Sequence, residues 1–209
     1  MGASKLKLLL ATNNLGKARE LAVLLEGVPF IITTSKEEDI VLDVEETGAT
    51  LEENAAIKAE AFAKASGLMA LADDSGLEVN ALGGEPGVMS ARYAGPESSD
   101  EDRVRYLLSK LEDIEWGMRG ARFRSVIAVA QPQGVLDLFE GTCEGVIALS
   151  PKGAGGFGYD PVFYVPSLGK LMAELTMEEK NIISHRGSAA RKAVEYLKSA
   201  VVNGQHEPS

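Results

Sequence analysis

The sequence predicts an α/β fold, and a strand–helix–strand pattern near its start is the main reason. An apolar run at residues 6–11 (LKLLLA), a helical pattern at 17–27 (KARELAVLLEG) and a second apolar run at 29–34 (PFIITT) follow one another closely. Such a unit, within about 30 residues, implies two parallel strands joined by a helix. The 209 residues, 45% hydrophobic and 25% charged, suit one sizeable domain. We therefore assign residues 1–202 to a single domain and 203–209 to a polar tail.

Capping residues and periodicity predict the remaining elements. Thr50 and Glu53 match a capping box at the start of a long helix that ends on Gly67. A buried strand is predicted to end at the aspartates of LADDSGL, with Ser75-Gly76 forming a turn after it. The other predicted elements are a helix at 98–113, two or three antiparallel strands at 121–149 with a hairpin near 132–134, and a last helix at 184–202.

Charge and composition exclude several classes of function. The net charge of −10 and the pI near 4.8 argue against a nucleic-acid polymer as partner, because no continuous basic face is available. The single Cys143 cannot form an intrachain disulfide or a Cys-rich zinc site, and we expect a buried, inert thiol. No run approaches about 20 apolar residues, and Gly2 lacks the Ser or Thr at position 6 that myristoylation needs. These features predict a cytoplasmic protein without a membrane anchor.

Residues 12–17 (TNNLGK) lie where the first strand passes into the first helix. Free backbone N–H groups and the positive end of the helix dipole suit a phosphate at such a place. Thr12, Asn13 and Asn14 can add side-chain donors, and Lys17 adds a charge. The pattern is not a Walker loop, which needs GxxxxGK followed by Ser or Thr. A plain Asn-capped helix start with a solvated Lys17 is the alternative, and the spacing alone does not choose between the two.

Asp73 and Asp74 follow an apolar run and need a partner, because adjacent buried carboxylates disfavour each other's ionisation. Lys58 lies four residues after Asn54, on a face of the long helix that borders its apolar stripe, and can either reach these aspartates or extend into solvent. Glu45 and Glu46 precede the same helix. Together the two acidic pairs can form an oxygen-rich Mg²⁺ site, or the glutamates can simply serve the helix dipole.

Two later segments can recognise a ligand. Residues 153–158 (GAGGFG) match GxGxxG, but the extended chain that follows them excludes a dinucleotide-binding helix. These glycines instead allow a close backbone approach to a flat ligand, with Phe157 or Tyr159 as the stacking face. His185 and Arg186, with Ser184 as the helix cap, offer either two rigid donors or an ordinary surface pair.

Five motifs in fixed order resemble one known family. They are TNNLGK, EETGATLEENAAIKA, ADDSGLEVNALGGEPGVMSARYAG, GAGGFGYDP and ISHRGSA, spread from about Leu8 to Leu197. This pattern resembles the inosine triphosphate pyrophosphatase family, the house-cleaning non-canonical purine nucleoside triphosphate pyrophosphatases of the dITP/XTP type. The resemblance implies a long mixed central β-sheet with helices on both faces, two lobes enclosing a nucleotide cleft, and a homodimer.

The resemblance also implies a role for each matching residue. Asp74 would bind Mg²⁺ and act as general base, with Glu46 or Glu45 completing the metal shell. Asp73 would support that site, and Lys58 would balance its charge. Arg92 is left open. The residues that would contact the substrate are Thr12, Asn13, Asn14, Leu15, Gly16, Lys17, Ser75, Phe157, Gly158, Tyr159, Asp160, Lys180, His185 and Arg186.

The implied reaction is Mg²⁺-dependent hydrolysis of ITP, dITP or XTP to the monophosphate and pyrophosphate. A 6-oxo purine presents an acceptor to His185 and Arg186, whereas adenine presents an amino donor. Three other readings compete with this one: a phosphatase that removes the terminal phosphate, a nucleotide sensor without turnover, and a related pyrophosphatase acting on modified pyrimidine nucleotides. His185-Arg186 and the FGYD segment favour the purine enzymes.

Overall fold

A computed structural model describes residues 6–204 of the chain. Predictions that concern residues 1–5, and the part of the predicted tail from 205 onward, lie outside the described residues, whereas Asn203 and Gly204, which were predicted to begin the tail, are still helical. The strands are β1 Lys7–Leu10, β2 Ile31–Thr34, β3 Met69–Val79, β4 Pro86–Gly87, β5 Gly120–Ala130, β6 Leu136–Ile147, β7 Phe163–Val165 and β8 Lys170–Leu171. The helices are α1 Leu15–Leu24, α2 Leu51–Ser66, α3 Asp100–Lys110, α4 Met177–Ile183 and α5 His185–Gly204.

The strands form one mixed sheet, as predicted. The order is β2-β1-β3-β5-β6-β7-β8, and β4 pairs with β3 beside this path. Strand β1 pairs in parallel with both β2 and β3, which confirms the predicted strand–helix–strand unit. Strands β6, β7 and β8 pair antiparallel in succession. The predicted hairpin is confirmed as the turn between β5 and β6, where the Gln131 N–H donates to the Val135 carbonyl at 2.8 Å.

Strand β3 corrects one prediction. The sequence suggested that this strand ends at the aspartates and that Ser75-Gly76 form a turn, but the strand continues to Val79. Leu77 and Val79 are fully buried, so the alternation of apolar side chains extends past the carboxylates. Position 76 requires glycine because the backbone of Gly87 in β4 lies against it. A Cβ at Gly76 would collide with the Gly87 carbonyl. A glycine in an apolar strand thus marked a close strand contact and not a turn.

The caps of α2 are largely as predicted. Thr50 Oγ1 accepts from the Glu53 N–H at 3.1 Å, and Gly67 ends the helix in the left-handed region with φ of 68°. The second half of the predicted capping box is wrong, because the Glu53 carboxylate accepts from the Ala49 N–H at 2.6 Å and not from Thr50. The helix therefore begins where predicted. The Glu53 carboxylate bonds to the amide of Ala49, one residue before the Thr50 cap.

Helix α4 was not predicted. Its start carries a reciprocal capping box, in which Thr176 Oγ1 accepts from the Glu179 N–H and the Glu179 carboxylate accepts from the Thr176 N–H. This signal is present in the sequence as Thr-x-x-Glu, but the helix that follows it is only seven residues long. So short a helix has little apolar periodicity of its own, and the cap was its one clear mark.

The chain divides into two compact units. The first contains residues 6–74, 126–140 and 188–204, and the second contains 75–125 and 141–187. In the first unit, α5 packs its small side chains close to the sheet. The core of this unit consists of Leu8, Leu10, Leu21, Leu25, Phe30, Leu71, Ile127, Val129, Ala189, Ala190, Ala193 and Leu197.

The second unit has its own apolar core, which carries more aromatic side chains. Phe123 and Phe163 lie in contact there, with ring centroids 4.3 Å apart. Cys143 in β6 is buried in this core, as predicted, and burial raises the pKa of its thiol to about 11. Across residues 6–204, none of the helices has both the length and the apolar character that crossing a bilayer demands.

Candidate active site

The loop between β1 and α1 forms an Asn-capped helix start. Asn14 Oδ1 accepts from the Lys17 N–H at 3.1 Å, and Thr12 Oγ1 accepts from the Asn14 N–H at 3.2 Å. The first turn of α1 contains no acidic side chain. Because no carboxylate there offsets the positive end of the helix dipole, this helix start also suits an anion. The Asn14 cap itself is compatible with either reading of the TNNLGK segment, so the position of the Lys17 side chain decides between them.

Lys17 does not extend into solvent but reaches Asp73. Its Nζ lies 2.9 Å from Asp73 Oδ2 and donates to the Asp73 main-chain carbonyl at 3.2 Å. Strand β1 ends at Leu10, and the Ala11 N–H makes one further bond to the Leu71 carbonyl at 2.8 Å. Asp73 lies two residues beyond that bond, so its carbonyl is open to side-chain donors. The alternative of a solvated Lys17 is wrong.

Lys58 is the second partner of the aspartates. Its Nζ donates to Asp74 Oδ1 at 2.9 Å, to Glu46 Oε1 at 2.9 Å and to the Asp73 carbonyl at 3.1 Å. An ammonium group has three N–H donors, and these three acceptors match that number. The two aspartates are therefore matched by two lysines from different helices. We call Lys17, Glu46, Lys58, Asp73 and Asp74 the carboxylate–lysine cluster.

Burial and charge act in opposite directions on this cluster. Burial raises the pKa of the Asp74 carboxyl and outweighs the lowering effect of Lys58 and Lys17, so this pKa lies above its ordinary value. Burial lowers the pKa of Lys58, but Asp74 and Glu46 together outweigh it, so that pKa is raised. Asp74 consequently accepts a proton more readily than an exposed aspartate does, and Lys58 stays charged.

Asn54 holds the segment that carries Glu46. Its side chain is fully buried, and Oδ1 accepts from the Gly48 N–H at 2.8 Å. A Cβ at Gly48 would lie 2.6 Å from the Glu53 Cβ, so only glycine permits this approach. Glu45 is exposed in the same segment, whereas Glu46 reaches Lys58. The structure therefore assigns Glu46, and not Glu45, to the carboxylate–lysine cluster, a choice that the sequence left open.

The oxygen donors of the cluster suit Mg²⁺. Within residues 6–204, no group of three or more His, Cys, Asp and Glu side chains is arranged to hold a metal ion by itself. Glu46 and Asp74 nevertheless offer two carboxylates that converge on one ammonium nitrogen. Mg²⁺ commonly takes only one or two carboxylates and completes its shell with water and substrate phosphates. This donor set fits such a shared ion better than a closed protein cage.

In the second unit, Lys180 and Asp160 form a buried ion pair. Their side chains are only 5% and 4% exposed, and Lys180 Nζ donates to Asp160 Oδ2. The same oxygen accepts from the Phe157 N–H at 2.9 Å, and Lys180 Nζ lies 4.7 Å from the centroid of the Phe157 ring. Since charges are costly to bury, the pair must keep its mutual bonds to be stable. It fixes both a cation and an aromatic ring.

Arg186 adds a second cation beside the same ring. Its Nη2 donates to Ser75 Oγ at 2.8 Å, and its guanidinium carbon lies 5.5 Å from the centroid of Phe157. Arg186 is 1% exposed, so the alternative of an ordinary surface pair is wrong. Ser184 caps α5 as predicted, because its Oγ accepts from the Gly187 N–H at 3.1 Å. We call Ser75, Phe157, Asp160, Lys180 and Arg186 the aromatic–cation cluster.

His185 and Tyr159 have supporting positions. The His185 ring stacks on Phe123 with centroids 4.7 Å apart and is buried. The Tyr159 hydroxyl donates to the Ser90 carbonyl at 2.9 Å, and burial raises its pKa. Of the two predicted stacking faces, Phe157 is half-buried and close to the cations, whereas Tyr159 belongs to the core. Arg92, which the sequence left open, donates from Nε to Met89 Sδ at 3.3 Å.

The glycine-rich segment is held by a residue that the sequence analysis missed. No α-helix follows Gly158; a short 3-10 helix at Asp160–Val162 and then β7 come next, so the dinucleotide motif is correctly rejected. The Gly158 N–H donates to Asp100 Oδ2 at 2.6 Å, across 58 positions of sequence. Nothing local links the first turn of α3 to this segment, and Asp100 reads as an ordinary helix-dipole acid.

Comparison with known proteins identifies one family over most of the chain. The sequence profile of the Ham1 family matches residues 8–196. The chain is 50% identical over 189 residues to a dITP/XTP pyrophosphatase of Halalkalibacterium halodurans, covering 90% of this chain and 97% of that one. It is 53% identical over 192 residues to a dITP/XTP pyrophosphatase of Desulforamulus reducens, covering 92% and 96%.

A solved structure shows the same fold. The HAM1 protein from Coxiella burnetii superposes with a TM-score of 0.85 at 44% sequence identity, covering 93% of this chain and 99% of that chain. The likeness in structure and in sequence therefore extends over nearly the whole chain, and the family match at residues 8–196 spans the positions of both clusters.

Proposed function

The chain belongs to the Ham1 family, and from that premise we propose that it is a nucleoside triphosphate pyrophosphatase. It hydrolyses non-canonical purine nucleoside triphosphates, with ITP, dITP and XTP as its substrates, to the monophosphate and pyrophosphate. The two relatives named dITP/XTP pyrophosphatase support this activity. Removing deaminated purines from the nucleotide pool is the role that follows from such a reaction.

The observation that carries the proposal is the environment of Asp74. Its carboxylate is buried, its pKa is raised, and it lies in contact with Lys58 and beside Glu46. A general base works best when its pKa is raised toward the working pH, because it then takes up a proton more readily. Asp74 accepts the proton of the attacking water in our proposal, and the monophosphate forms as pyrophosphate leaves.

Glu46 and Asp74 would hold Mg²⁺, which supplies charge neutralisation to the phosphates and makes a bound water easier to deprotonate. The protein's own cations act on the same phosphates. The Lys17 and Lys58 side chains are held by ion pairs with Asp73 and Asp74, and α1 presents a helix start without an acid. Fixed positive groups stabilise charge that develops in the transition state without having to reorganise.

The aromatic–cation cluster recognises the base in this proposal. Phe157 provides the stacking face, and Lys180 and Arg186 provide donors toward a 6-oxo group. An adenine amino group would meet donors and leave them unpaired, at a cost of about 1–3 kcal/mol for each group. Tyr159 and His185 support the cluster from the core. The selection against ATP therefore comes from unsatisfied donors.

Product analysis with ITP, XTP, GTP and ATP plus Mg²⁺ tests the function. We expect pyrophosphate from ITP and XTP, little from GTP or ATP, and at least a 100-fold loss for Asp74→Asn, by analogy with general bases elsewhere. Asp113→Asn is the control, because Asp113 is exposed and outside both clusters.

Orthophosphate as the first product would support a terminal phosphatase instead. Binding of ITP without turnover would leave only a sensor, and preference for a modified pyrimidine nucleotide would move the chain to the related enzymes.

We also propose that the enzyme acts as a homodimer in the cytoplasm, where the nucleotide pool is found. Light scattering coupled to gel filtration measures the mass directly, against 22.2 kDa for one chain. A mass near that of one chain, at concentrations where hydrolysis is measured, would exclude the dimer without affecting the proposed reaction.

A further inference from the structure

Asp100 connects helix α3 to the glycine-rich segment, and each of its two carboxylate oxygens has a partner. Its Oδ2 accepts from the Gly158 N–H at 2.6 Å, while its Oδ1 pairs with Arg103 one turn later in the helix. Arg103 Nη1 in turn donates to the Ala91 carbonyl at 2.5 Å. The carboxylate is thus oriented on one side by an arginine and bonded on the other to a main-chain amide. Residues in a first helical turn that serve only the dipole have no need of such partners.

The amide that Asp100 holds comes directly after the proposed stacking residue. The Phe157 N–H donates to Asp160 Oδ2 at 2.9 Å, and the next amide, of Gly158, donates to Asp100. Gly156 and Gly158 on either side have φ of 73° and 62°, a region in which glycine moves freely. Two carboxylates from different elements therefore clamp the two consecutive amides that set the direction of the Phe157 ring.

We propose that Asp100 is a positioning residue for base recognition: by holding the Gly158 amide, it keeps Phe157 in the orientation in which a purine stacks on it. This inference rests on the proposed function, because it assigns the base to Phe157. Asp100 itself touches neither base nor phosphate in this scheme. It acts through the backbone.

Asp160 cannot replace Asp100 in this role. The oxygen of Asp160 that accepts from Phe157 also accepts from Lys180, so it is already shared between two donors. Without Asp100, Gly158 would be free to rotate about its flexible φ and ψ, and substrate binding would have to restore the order of the loop. The free-energy cost of ordering the loop applies equally to the enzyme–substrate complex and to the transition state. It therefore raises KM and leaves kcat nearly unchanged.

The test uses Asp100→Ala with a matched neighbour. Glu101→Ala removes the same charge from the same first turn of α3, and Glu101 is exposed. We expect Asp100→Ala to raise KM for ITP by about 5- to 20-fold with kcat within about twofold, a size typical of one charge-assisted hydrogen bond at a partly exposed site. Glu101→Ala should keep the wild-type KM. Asp100→Asn retains an acceptor oxygen and should come within about threefold of the wild type.

Hydrogen exchange on the free protein provides a readout that does not depend on activity. In Asp100→Ala, a peptide covering residues 153–160 should exchange faster, whereas Glu101→Ala should leave it unchanged. Together with the raised KM, this result supports the inference. Faster exchange with an unchanged KM overturns it, because the contact would then hold the loop without serving recognition. Unchanged exchange overturns it as well.

The failure of the inference differs from the failure of the proposed function. If wild-type protein releases no pyrophosphate from ITP or XTP, the function is wrong and the inference falls with it. If wild-type protein is active and Asp100→Ala has a wild-type KM, the function stands and only the role of Asp100 is refuted. A matching loss in Asp100→Ala and Glu101→Ala would trace the effect to helix charge and would also refute that role.

Discussion

The carboxylate–lysine cluster and the aromatic–cation cluster both pair lysines with carboxylates, but with opposite balance and different solvent access. In the first, two lysines face three carboxylates, of which Asp73 and Asp74 are buried and Glu46 is 29% exposed. In the second, Lys180 and Arg186 face one carboxylate, and the Lys180–Asp160 pair is almost fully buried. An excess of carboxylate suits a cation that arrives with the substrate, whereas an excess of fixed donors suits a carbonyl acceptor. In the proposed function, the cluster with excess carboxylate carries out the hydrolysis, and the cluster with excess donors recognises the base.

This difference in exposure also separates two effects of mutation. In the carboxylate–lysine cluster, Glu46 can reach water and Lys17 still acts on Asp74 after Lys58 is lost, so we expect the fold to tolerate the change and the reaction to slow. In the aromatic–cation cluster, Asp160 stays buried after Lys180 is lost, so we expect the fold itself to be destabilised.

The largest expected effect on activity comes from Lys58→Met. This change removes the donor shared by Asp74, Glu46 and the Asp73 carbonyl, so two carboxylates lose the group that positions them. We expect kcat/KM for ITP to fall by about 100- to 1,000-fold, the range seen when a single preorganised charge is removed. Lys64→Met is the control, because Lys64 lies on the exposed side of the same helix. A loss below tenfold for Lys58→Met would contradict the assignment.

The second prediction concerns stability in the other cluster. Lys180→Met removes the cation that pairs with the buried Asp160 carboxylate, and breaking a buried pair in this way typically costs about 3–5 kcal/mol. We expect the free energy of unfolding, measured in urea, to fall by that amount, and by less for Lys58→Met. Lys170→Met breaks the exposed pair with Glu179 and should change stability by under about 1 kcal/mol.

A double variant sharpens this stability comparison. Lys180→Met with Asp160→Asn removes the uncompensated charge and should recover part of the loss. If Lys58→Met proved the more destabilising single variant, exposure would not be what distinguishes the two clusters.

Local sequence signals predicted the elements that bring these residues into place, but not the pairings between them. The strand–helix–strand start, the Thr50 and Gly67 ends of α2 and the Ser184 cap of α5 follow from local periodicity and capping residues, and all were correct. The Lys17–Asp73 contact spans 56 positions and could not be read from spacing. Glu45 and Glu46 could not be distinguished from the sequence. The bond between Asn54 and the Gly48 amide, which holds the segment that carries Glu46 toward Lys58, is not visible in the spacing.

The misses show where local reasoning fails. Gly76 was taken for a turn because glycine commonly marks one, yet it answers a steric need set by Gly87 in another strand. Asp100 was passed over because acids in a first helical turn already have a sufficient explanation. In both cases a familiar local role concealed a contact made by a distant part of the chain.

The smallest expected effect on hydrolysis comes from Cys143, whose thiol instead reports on the second unit. Burial raises its pKa to about 11, and the charges of Glu144 and Asp160 add to the rise. At pH 8 only roughly one molecule in a thousand then carries a thiolate, so a disulfide reagent should react slowly with native protein and quickly in urea. The native rate should increase about tenfold per pH unit from pH 8 to 10, since thiolate is the reacting form. Cys143→Ala should leave kcat/KM unchanged.

The same thiol distinguishes the two clusters. Asp160→Asn removes a neighbouring negative charge, so the pKa of Cys143 should fall and its native reaction at pH 8 should become faster by about two- to threefold. Lys58→Met lies in the other unit and should leave that rate as it is. Equal acceleration in both variants would mean that the thiol senses general loosening of the fold. Acceleration in Asp160→Asn alone would tie the reactivity of Cys143 to the charge of Asp160 in the aromatic–cation cluster.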